Sequence, residues 1–394
     1  MCGILRKFEP IILSHSINQN MNSRHLIFLF ALLFSVGLTA QELIKQPSGY
    51  DFQIKENIAC TPVKSQDRTG TCWSFSTVSF LESELIRQGK GNFDLSEMYI
   101  VRNIYKDKAM NYVLRQGKAQ FSQGSLNHDV MRAFKKHGIM PEAAYSGKTD
   151  SEVKHDHSEL VNGLKGYLDG IMKSKRLSVK WMRGFEAILD AYLGEVPEQF
   201  EYAGKETNVK NFSKDLGINP DDYVELTSFS HHPYYTRFVL EIPDNYSNGS
   251  YYNVPPAELR AAADHALSNG YSVAWDGDVS EKGFSAREGI AIVPAEPDRE
   301  DLFKIPGKEE KITAADRQSA FLNYDTTDDH LMHLTGTATD KNGTKYYLTK
   351  NSWGEISDYK GFLYMSQAYF DLKTVGIMVH KDGLPANLRK QLAI

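Results

Sequence analysis

Two runs near the C-terminal end, in which apolar and polar residues alternate as in β-strands, constrain the fold most strongly. "HLMHLTGTATD" precedes Lys341-Asn342-Gly343, and "TKYYLTKNSWG" follows it. Asn-Gly between two such runs is the strongest short-range signal of a β-hairpin. The sequence therefore predicts an antiparallel hairpin that brings residues 330 and 351 close together. "KGFLYMSQAYF" and "VGIMVH" are expected to add further strand.

A helix that begins in "TGTCWSF" is the second constraint. From Trp73 to Ile86, apolar residues recur every three or four positions, and glycines at 89 and 91 end the pattern. Cys72 lies at the start of this helix, where the helix dipole favours a thiolate. A lone cysteine here is more simply explained as a buried structural thiol. The hypothesis of a nucleophile therefore depends on other residues.

The hairpin and the segment before the helix supply such residues. His330 begins the first hairpin strand and Asn351 lies on the second. The amide oxygen of Asn351 can accept from one imidazole nitrogen and leave the other facing Cys72. The N–H of Cys72 and the side-chain amide of Gln66 are candidate donors to an oxyanion. Together these residues predict acyl transfer through a thiol.

The first 40 residues have the pattern of a secretory signal peptide. Arg24 and His25 precede an apolar run, "LIFLFALLFSVGL", and Ala40 precedes a polar chain. The run is shorter than the roughly 20 residues that a transmembrane helix needs. We expect cleavage near Ala40, export to the periplasm or the extracellular space, and no membrane anchor in the mature form. Residues 1–20 are interpreted as an upstream extension.

Composition limits the partners. The formal net charge is −5, so we expect no nucleic-acid partner, and the basic cluster "KSKRLSVKWMR" is interpreted as a solvated helix face. The sequence has no H-E-x-x-H and no paired C-x-x-C motif, so it predicts no metal site, and the chemistry needs no cofactor. Cys60 is interpreted as a small core residue, although a disulfide with Cys72 would be possible in an oxidising compartment.

Three motifs resemble those of the papain-like cysteine peptidases. They are "TPVKSQDRTGTCWSF", "DDHLMHLTGTATD" and "YYLTKNSWGEISDYKGFLYMS", in that order. The similarity is closest to the bleomycin hydrolase and aminopeptidase C branch. The resemblance implies that Gln66 donates to the oxyanion, Cys72 is the nucleophile, His330 is the base and acid, and Asn351 orients the imidazole.

The same resemblance implies an α+β, papain-like two-lobe fold. A helical lobe opens with the Cys72 helix, a β-rich lobe carries His330 and Asn351, and the active site lies between them. Residues 41–394 then form one peptidase domain. An inserted helical region at about 150–260 accounts for the long gap between Cys72 and His330, and residues 380–394 form a C-terminal tail.

The resemblance also implies a mode of substrate binding. "SQGSLNHDVMRAFKKHGIMPEAAY" is similar to the segment that lines the cleft, so Gly124 is expected to bind the substrate backbone, flanked by Trp73 and Trp353. In this branch the C-terminus lies in the cleft and its carboxylate pairs with the substrate amine. The residue with that role would be Ile394, since 15 extended residues span about 50 Å.

The predicted function is thus a cysteine-type aminopeptidase that acts on peptide substrates, and the branch implies a homo-hexamer with inward-facing sites. Three alternatives remain open: an endopeptidase of the same fold, a catalytically idle relative that binds peptides, and a transferase that uses the same thiol. Asp276, Asp278 and Asp329 lie near the inferred cleft. They would either hold a substrate amine or form turns at the surface.

Overall fold

A computed structural model describes residues 49–149, 153–356 and 358–394. The predicted signal peptide at residues 1–40 lies outside these ranges. Within them, none of the helices combines the length and the apolar content needed to cross a bilayer.

The helices lie mostly in the first half of the described chain. They are α1 (Cys72–Arg87), α2 (Glu97–Leu114), α3 (Asn127–His137), α4 (Ser158–Ile171), α5 (Trp181–Leu193), α6 (Val209–Leu216), α7 (Pro256–Ser268), α8 (Ala314–Leu322), α9 (Gln367–Lys373) and α10 (Ala386–Leu392). The predicted start of α1 at Cys72 is confirmed. The Ser96 hydroxyl caps α2 by accepting from the N–H of Tyr99 at 2.9 Å.

Helix α1 lies at the centre of the helical lobe. Every residue from Cys72 to Leu85 is buried, including serines and glutamates, so the helix is more completely enclosed than its apolar pattern predicts. It packs against α2, α3 and the large sheet. A helix enclosed on all sides is held rigidly, and it therefore fixes the position of its first residue, Cys72.

The strands lie mostly in the second half of the described chain. They are β1 (Gln53–Asn57), β2 (Phe200–Tyr202), β3 (Lys205–Thr207), β4 (Tyr223–Thr227), β5 (Arg237–Val239), β6 (Ser250–Asn253), β7 (Val273–Gly277), β8 (Phe284–Ser285), β9 (Ile290–Ala291), β10 (His330–Thr339), β11 (Lys345–Lys350), β12 (Phe362–Ser366) and β13 (Thr374–His380). One sheet has the order β5-β6-β4-β13-β7-β10-β11-β12-β9-β8, with β1 paired to β10, and β2 pairs with β3 separately.

The predicted hairpin is confirmed. Strands β10 and β11 are antiparallel, Thr339 pairs with Lys345, and Gly343 has φ +83° in the turn. One neighbouring prediction is only partly right. "KGFLYMSQAYF" forms strand as far as Ser366 and then the helix α9, because the Ser366 hydroxyl caps a helix by accepting from the N–H of Tyr369.

The two faces of the sheet pack differently. One face meets α1 and shares the core of the helices through Ala274, Leu331 and Met378. The other face carries a second core that is covered by α7, α9 and α10. The α+β prediction of a helical lobe joined to a β-rich lobe is therefore confirmed. The start of β10, where His330 lies, is at the boundary between the lobes.

The region predicted as a helical insertion has two parts. Helices α4 to α6 and the small β2–β3 hairpin occupy Ser158–Leu216. Strands β4 to β6 then extend the edge of the large sheet. Whether this region is an insertion relative to shorter chains of the same fold stays a prediction.

The C-terminal tail does not extend. After β13 the chain forms a 3-10 turn at Lys381–Gly383 and then α10, whose Leu388 and Leu392 are buried in the second core. A helix rises only about 1.5 Å per residue, less than half the rise of an extended chain. The span expected for an extended tail is therefore not available.

Candidate active site

The Cys72 side chain faces the first residues of β10. Its sulfur accepts hydrogen bonds from the N–H groups of Leu331 and Trp73. Leu331 directly follows His330, so the packing of α1 on the sheet brings the thiol to the strand that carries the imidazole. Only 8% of Cys72 is exposed. The Cys72 N–H belongs to the first turn of α1, where N–H groups have no intrahelical partner.

His330 is held by Asn351. The Asn351 Oδ1 accepts from His330 Nε2 at 2.7 Å and from the N–H of Ser352 at 2.7 Å. The Ser352 contact fixes which end of the amide is oxygen, so His330 Nε2 must carry the proton. Nδ1 is then the nitrogen with a free lone pair. This is the tautomer that a base acting on a neighbouring thiol requires.

Hydrogen bonds at both the oxygen and the nitrogen of its side-chain amide orient Gln66. Its Oε1 accepts from the Ser352 hydroxyl at 2.6 Å, and its Nε2 donates to the Thr69 carbonyl at 2.7 Å. A glutamine amide has two N–H bonds, and these contacts use one of them. The second N–H is available for an oxyanion beside Cys72. Ser352 therefore links Gln66 to Asn351, a role that the sequence motif N-S-W-G did not make evident.

The two tryptophans have different surroundings. Trp73 is fully buried, and its Nε1 donates to the Gln123 carbonyl at 2.9 Å. It therefore ties the start of α1 to the cleft segment. Trp353 is partly exposed, and its ring centroid lies 4.6 Å from that of His330. Trp353 thus covers the imidazole, whereas Trp73 positions the backbone.

The side-chain carboxylate of Asp244 lies against the Cα of Gly124. A Cβ added there would lie 1.8 Å from Asp244 Oδ2, so any larger residue would have to displace this carboxylate. Asp244 is held by Gln120 Nε2 at 2.8 Å, and the Gly124 carbonyl accepts from Lys108 Nζ at 2.5 Å. The segment that carries Asp244 therefore covers the glycine expected to bind the substrate backbone.

Burial keeps the thiol and the imidazole neutral. It raises the pKa of the Cys72 thiol to about 12, although two backbone N–H groups lower it. Burial also lowers the pKa of His330 to about 4, although the hydrogen bond that His330 donates to Asn351 raises it. At neutral pH the resting pair is therefore SH and neutral imidazole. The proton has to move from sulfur to Nδ1 as the nucleophile forms.

The structure does not bring Ile394 to the thiol. Ile394 follows α10, packs on the second core and lines a cavity of about 700 Å³ together with Arg237, Tyr252 and Lys381. None of Gln66, Cys72, His330 and Asn351 lines that cavity. The expectation for the terminal carboxylate therefore does not apply here, because α10 anchors the tail on the opposite face of the sheet.

The three aspartates that the sequence places near the cleft differ in their contacts. Asp278 accepts from the N–H groups of Ser280 and Thr327, and Asp329 accepts from the N–H of Val279, so both stabilise turns. Asp276 is 1% exposed, and neither of its oxygens receives a hydrogen bond from an N–H or hydroxyl group. Among these three aspartates, Asp276 is therefore the one that is buried without a hydrogen-bond donor in the described residues.

Within the described residues, one group of side chains has the spacing of metal ligands. His231, His232 and Glu241 each offer one ligand atom, and these atoms lie within 4.8 Å of one another. The Glu241 carboxylate already bonds both imidazoles, at 3.3 Å and 2.8 Å. In the same residues Cys60 and Cys72 are not joined by a disulfide.

Comparisons with known proteins identify relatives over most of the chain. Aminopeptidase G of Lactobacillus delbrueckii subsp. lactis is 27% identical over 378 residues, covering 84% of this chain and 83% of the relative. Aminopeptidase C of Streptococcus thermophilus is 23% identical over 384 residues, covering 85% and 84%. The crystal structure of PepW from Lactobacillus rhamnosis HN001 matches with a TM-score of 0.69 at 21% identity, covering 86% and 84%. That structural match shows the papain-like fold.

A family model with the description Peptidase C1-like family matches residues 35–393. This range includes the helix that begins at Cys72, the hairpin with His330 and Asn351, and α10. The chain therefore belongs to the Peptidase C1-like family.

Proposed function

We propose that the protein is a cysteine-type aminopeptidase that releases N-terminal residues through a thioester on Cys72. The observation that carries the proposal is the 2.7 Å hydrogen bond from His330 to Asn351 beside the thiol, which leaves Nδ1 unprotonated. The names of the relatives, aminopeptidases G, E, W and C, support the same reaction.

Each step of the reaction follows from the contacts. The Cys72 proton passes to His330 Nδ1, and the sulfur attacks the carbonyl carbon of the first peptide bond. The N–H of Cys72 and the second N–H of Gln66 hold the oxyanion. When the oxyanion collapses, the C–N bond breaks and the imidazolium gives its proton to the leaving amine. Water, deprotonated by the imidazole, then cleaves the thioester, and the proton returns to sulfur.

A paired hydrolysis assay tests the proposal. The substrates are leucyl-amidocoumarin and its N-acetylated form, assayed under reducing conditions with wild type and Cys72→Ala. We expect the wild type to cleave the free-amine substrate at least 100-fold faster than the acetylated one, and Cys72→Ala to cleave neither. Equal cleavage of both substrates would indicate an endopeptidase. Activity that survives in Cys72→Ala would exclude the thioester.

Export and assembly are further parts of the proposal. The apolar run at residues 26–38 supports removal of a signal peptide near Ala40 and export. N-terminal sequencing of the protein recovered from the producing cell tests this, and a mature chain that still begins at Met1 or Met21 would contradict it. The family resemblance supports a homo-hexamer. Light scattering would test that assembly, and a mass equal to one chain would contradict it.

A further inference from the structure

Asp276 lies directly beside the candidate nucleophile. In the pairing of β7 with β10, Asp276 is opposite Leu331, whose N–H donates to the Cys72 sulfur. On its other side, Asp276 is opposite Gly376 of β13. Paired residues in an antiparallel sheet lie about 4.5–5.5 Å apart between Cα atoms. The carboxylate is thus built into the sheet next to the site of attack.

Within the described residues, four oxygen atoms on three side chains of this region have no hydrogen-bonding partner. They are both carboxylate oxygens of Asp276, Oδ2 of Asp328 and the hydroxyl of Tyr251, and all four are buried. Tyr251 is 1% exposed, and its ring packs against Gly376, the residue opposite Asp276. Buried polar atoms are nearly always paired, so four unpaired oxygens in one place indicate a missing donor.

The two carboxyl groups interact electrostatically. Burial raises the pKa of both, and the charge of Asp328 raises the pKa of Asp276 further, so one of them keeps a proton at neutral pH. The pair then carries a single negative charge. Asp328 also lines an open cavity of about 390 Å³, whose wall includes Ile242, Pro243 and Phe321. The charges of both carboxyls also raise the pKa of the Cys72 thiol, so the pair lies close enough to the sulfur to act on it.

Protein cations nearby are already engaged. Lys108 Nζ donates to the carbonyl of Gly124, and His128 bonds Glu225 at 2.7 Å and Ser247 at 3.1 Å. The remaining charged groups that face the pair are acidic, namely Glu225, Asp244 and Asp329. The described part of the chain thus surrounds the pair with negative charge and provides no donor to its unpaired oxygens.

We propose that Asp276 and Asp328, together with the Tyr251 hydroxyl, bind the α-ammonium group of the substrate's N-terminal residue. The inference rests on the proposed aminopeptidase function and names the group that makes the site select free N-termini. An ammonium group supplies one positive charge and three N–H donors, which match the single negative charge and the unpaired oxygens.

The covalent geometry of a peptide fits this placement. The amine nitrogen of the first residue is separated from the attacked carbonyl carbon by two bonds, or about 2.5 Å. A carboxylate that binds the amine must therefore lie beside the sulfur that attacks the carbonyl, as Asp276 does. In this chain the pair takes the role that the family resemblance assigned to the carboxylate of Ile394.

The test compares two substrates that differ only in the amine. Leucyl-amidocoumarin has the ammonium group, and 4-methylpentanoyl-amidocoumarin lacks it. We expect Asp276→Asn and Asp328→Asn to lower kcat/KM for the leucyl substrate about 10- to 100-fold, mainly through KM, because a charge-assisted contact is lost. Cleavage of the substrate without the amine should stay within twofold. Glu309→Gln is the matched control, a half-buried carboxyl that accepts hydrogen bonds from the N–H of Val293 and the hydroxyl of Ser366 instead.

Three results would overturn the inference. The first is an unchanged preference for the leucyl substrate in both variants. The second is an equal loss on both substrates by folded variants with wild-type melting temperatures. The third is a loss of activity that is confined to N-acetylated substrates with lysine at the second position before the cleaved bond. That result would show that the carboxyl pair binds a lysine side chain of the substrate instead of its α-ammonium group. If the wild type cleaves no leucyl substrate in a Cys72-dependent way, the proposed function fails, and the inference fails with it.

A binding measurement replaces the kinetics if the variants do not fold. Cys72→Ala keeps the carboxyl pair and cannot turn over substrate. We expect calorimetry to show L-leucinamide binding at least tenfold more tightly than 4-methylpentanamide to this variant. Equal affinities for the two compounds would overturn the inference.

Discussion

Asn351→Ala should separate the orientation of the imidazole from the stability of the fold. The Asn351 oxygen accepts two hydrogen bonds of 2.7 Å, one from His330 Nε2 and one from the Ser352 N–H. Removing it leaves a buried imidazole N–H without an acceptor, which costs about 1–3 kcal/mol. At 1.36 kcal/mol per tenfold change in rate, we expect kcat to fall about 5- to 150-fold with little change in KM.

The assay is steady-state hydrolysis of leucyl-amidocoumarin at a matched concentration of folded protein. Asn253→Ala is the control. Asn253 is also a buried asparagine, but it bonds the backbone of Phe229 and His232 instead of an imidazole. The control should lower the melting temperature and leave the kcat of the folded protein within twofold. A kcat for Asn351→Ala within twofold of wild type would refute the role of this hydrogen bond.

Three further predictions follow from the same contacts. Gln66→Ala should lower kcat about 10²- to 10³-fold at constant KM in the same assay, because one oxyanion donor is lost, and a change confined to KM would contradict that role. Burial raises the pKa of Asp328 to about 7, so protonation of the carboxyl pair should raise KM for leucyl-amidocoumarin as pH falls below about 7. A pH profile of Asp328→Asn should lack this rise. Deleting Ile394 should leave the preference for free-amine over N-acetylated substrate unchanged, because the residue lies on the second core, and a gain of endopeptidase activity would contradict this.

Local sequence was sufficient to predict the framework of the site. The apolar period after Cys72 defines α1, and the Asn-Gly turn defines the hairpin, so these two elements fix the order and proximity of thiol, imidazole and amide. Both signals depend on neighbours within about one turn or one strand. Such signals can be read without knowledge of the tertiary fold.

The carboxyl pair could not be predicted from local sequence. The sequence indicates Asp276 as an aspartate near the cleft, but it does not indicate Asp328 or Tyr251. Their approach depends on the pairing of β7 with β10 and with β13, which are far apart in sequence. No local pattern specifies that pairing, and the lack of donors around the oxygens is visible only in three dimensions.

The C-terminal tail had a local signal that the family resemblance outweighed. Leu388 and Leu392 are spaced four residues apart after Pro385, which is the pattern of a short helix with one buried face. The structure follows this pattern and packs both leucines in the second core. A resemblance to a family therefore predicted the reaction better than it predicted the path of the last residues.

The central claim is that the Cys72 sulfur carries the acyl group of a residue with a free amine. Intact-mass spectrometry after acid quenching of a reaction with leucyl p-nitrophenyl ester tests it directly. We expect one added leucyl group that maps to the Cys72 peptide, is absent from Cys72→Ala, and does not form from the N-acetylleucyl ester. An adduct on another residue, or equal labelling by the acetylated ester, would contradict it.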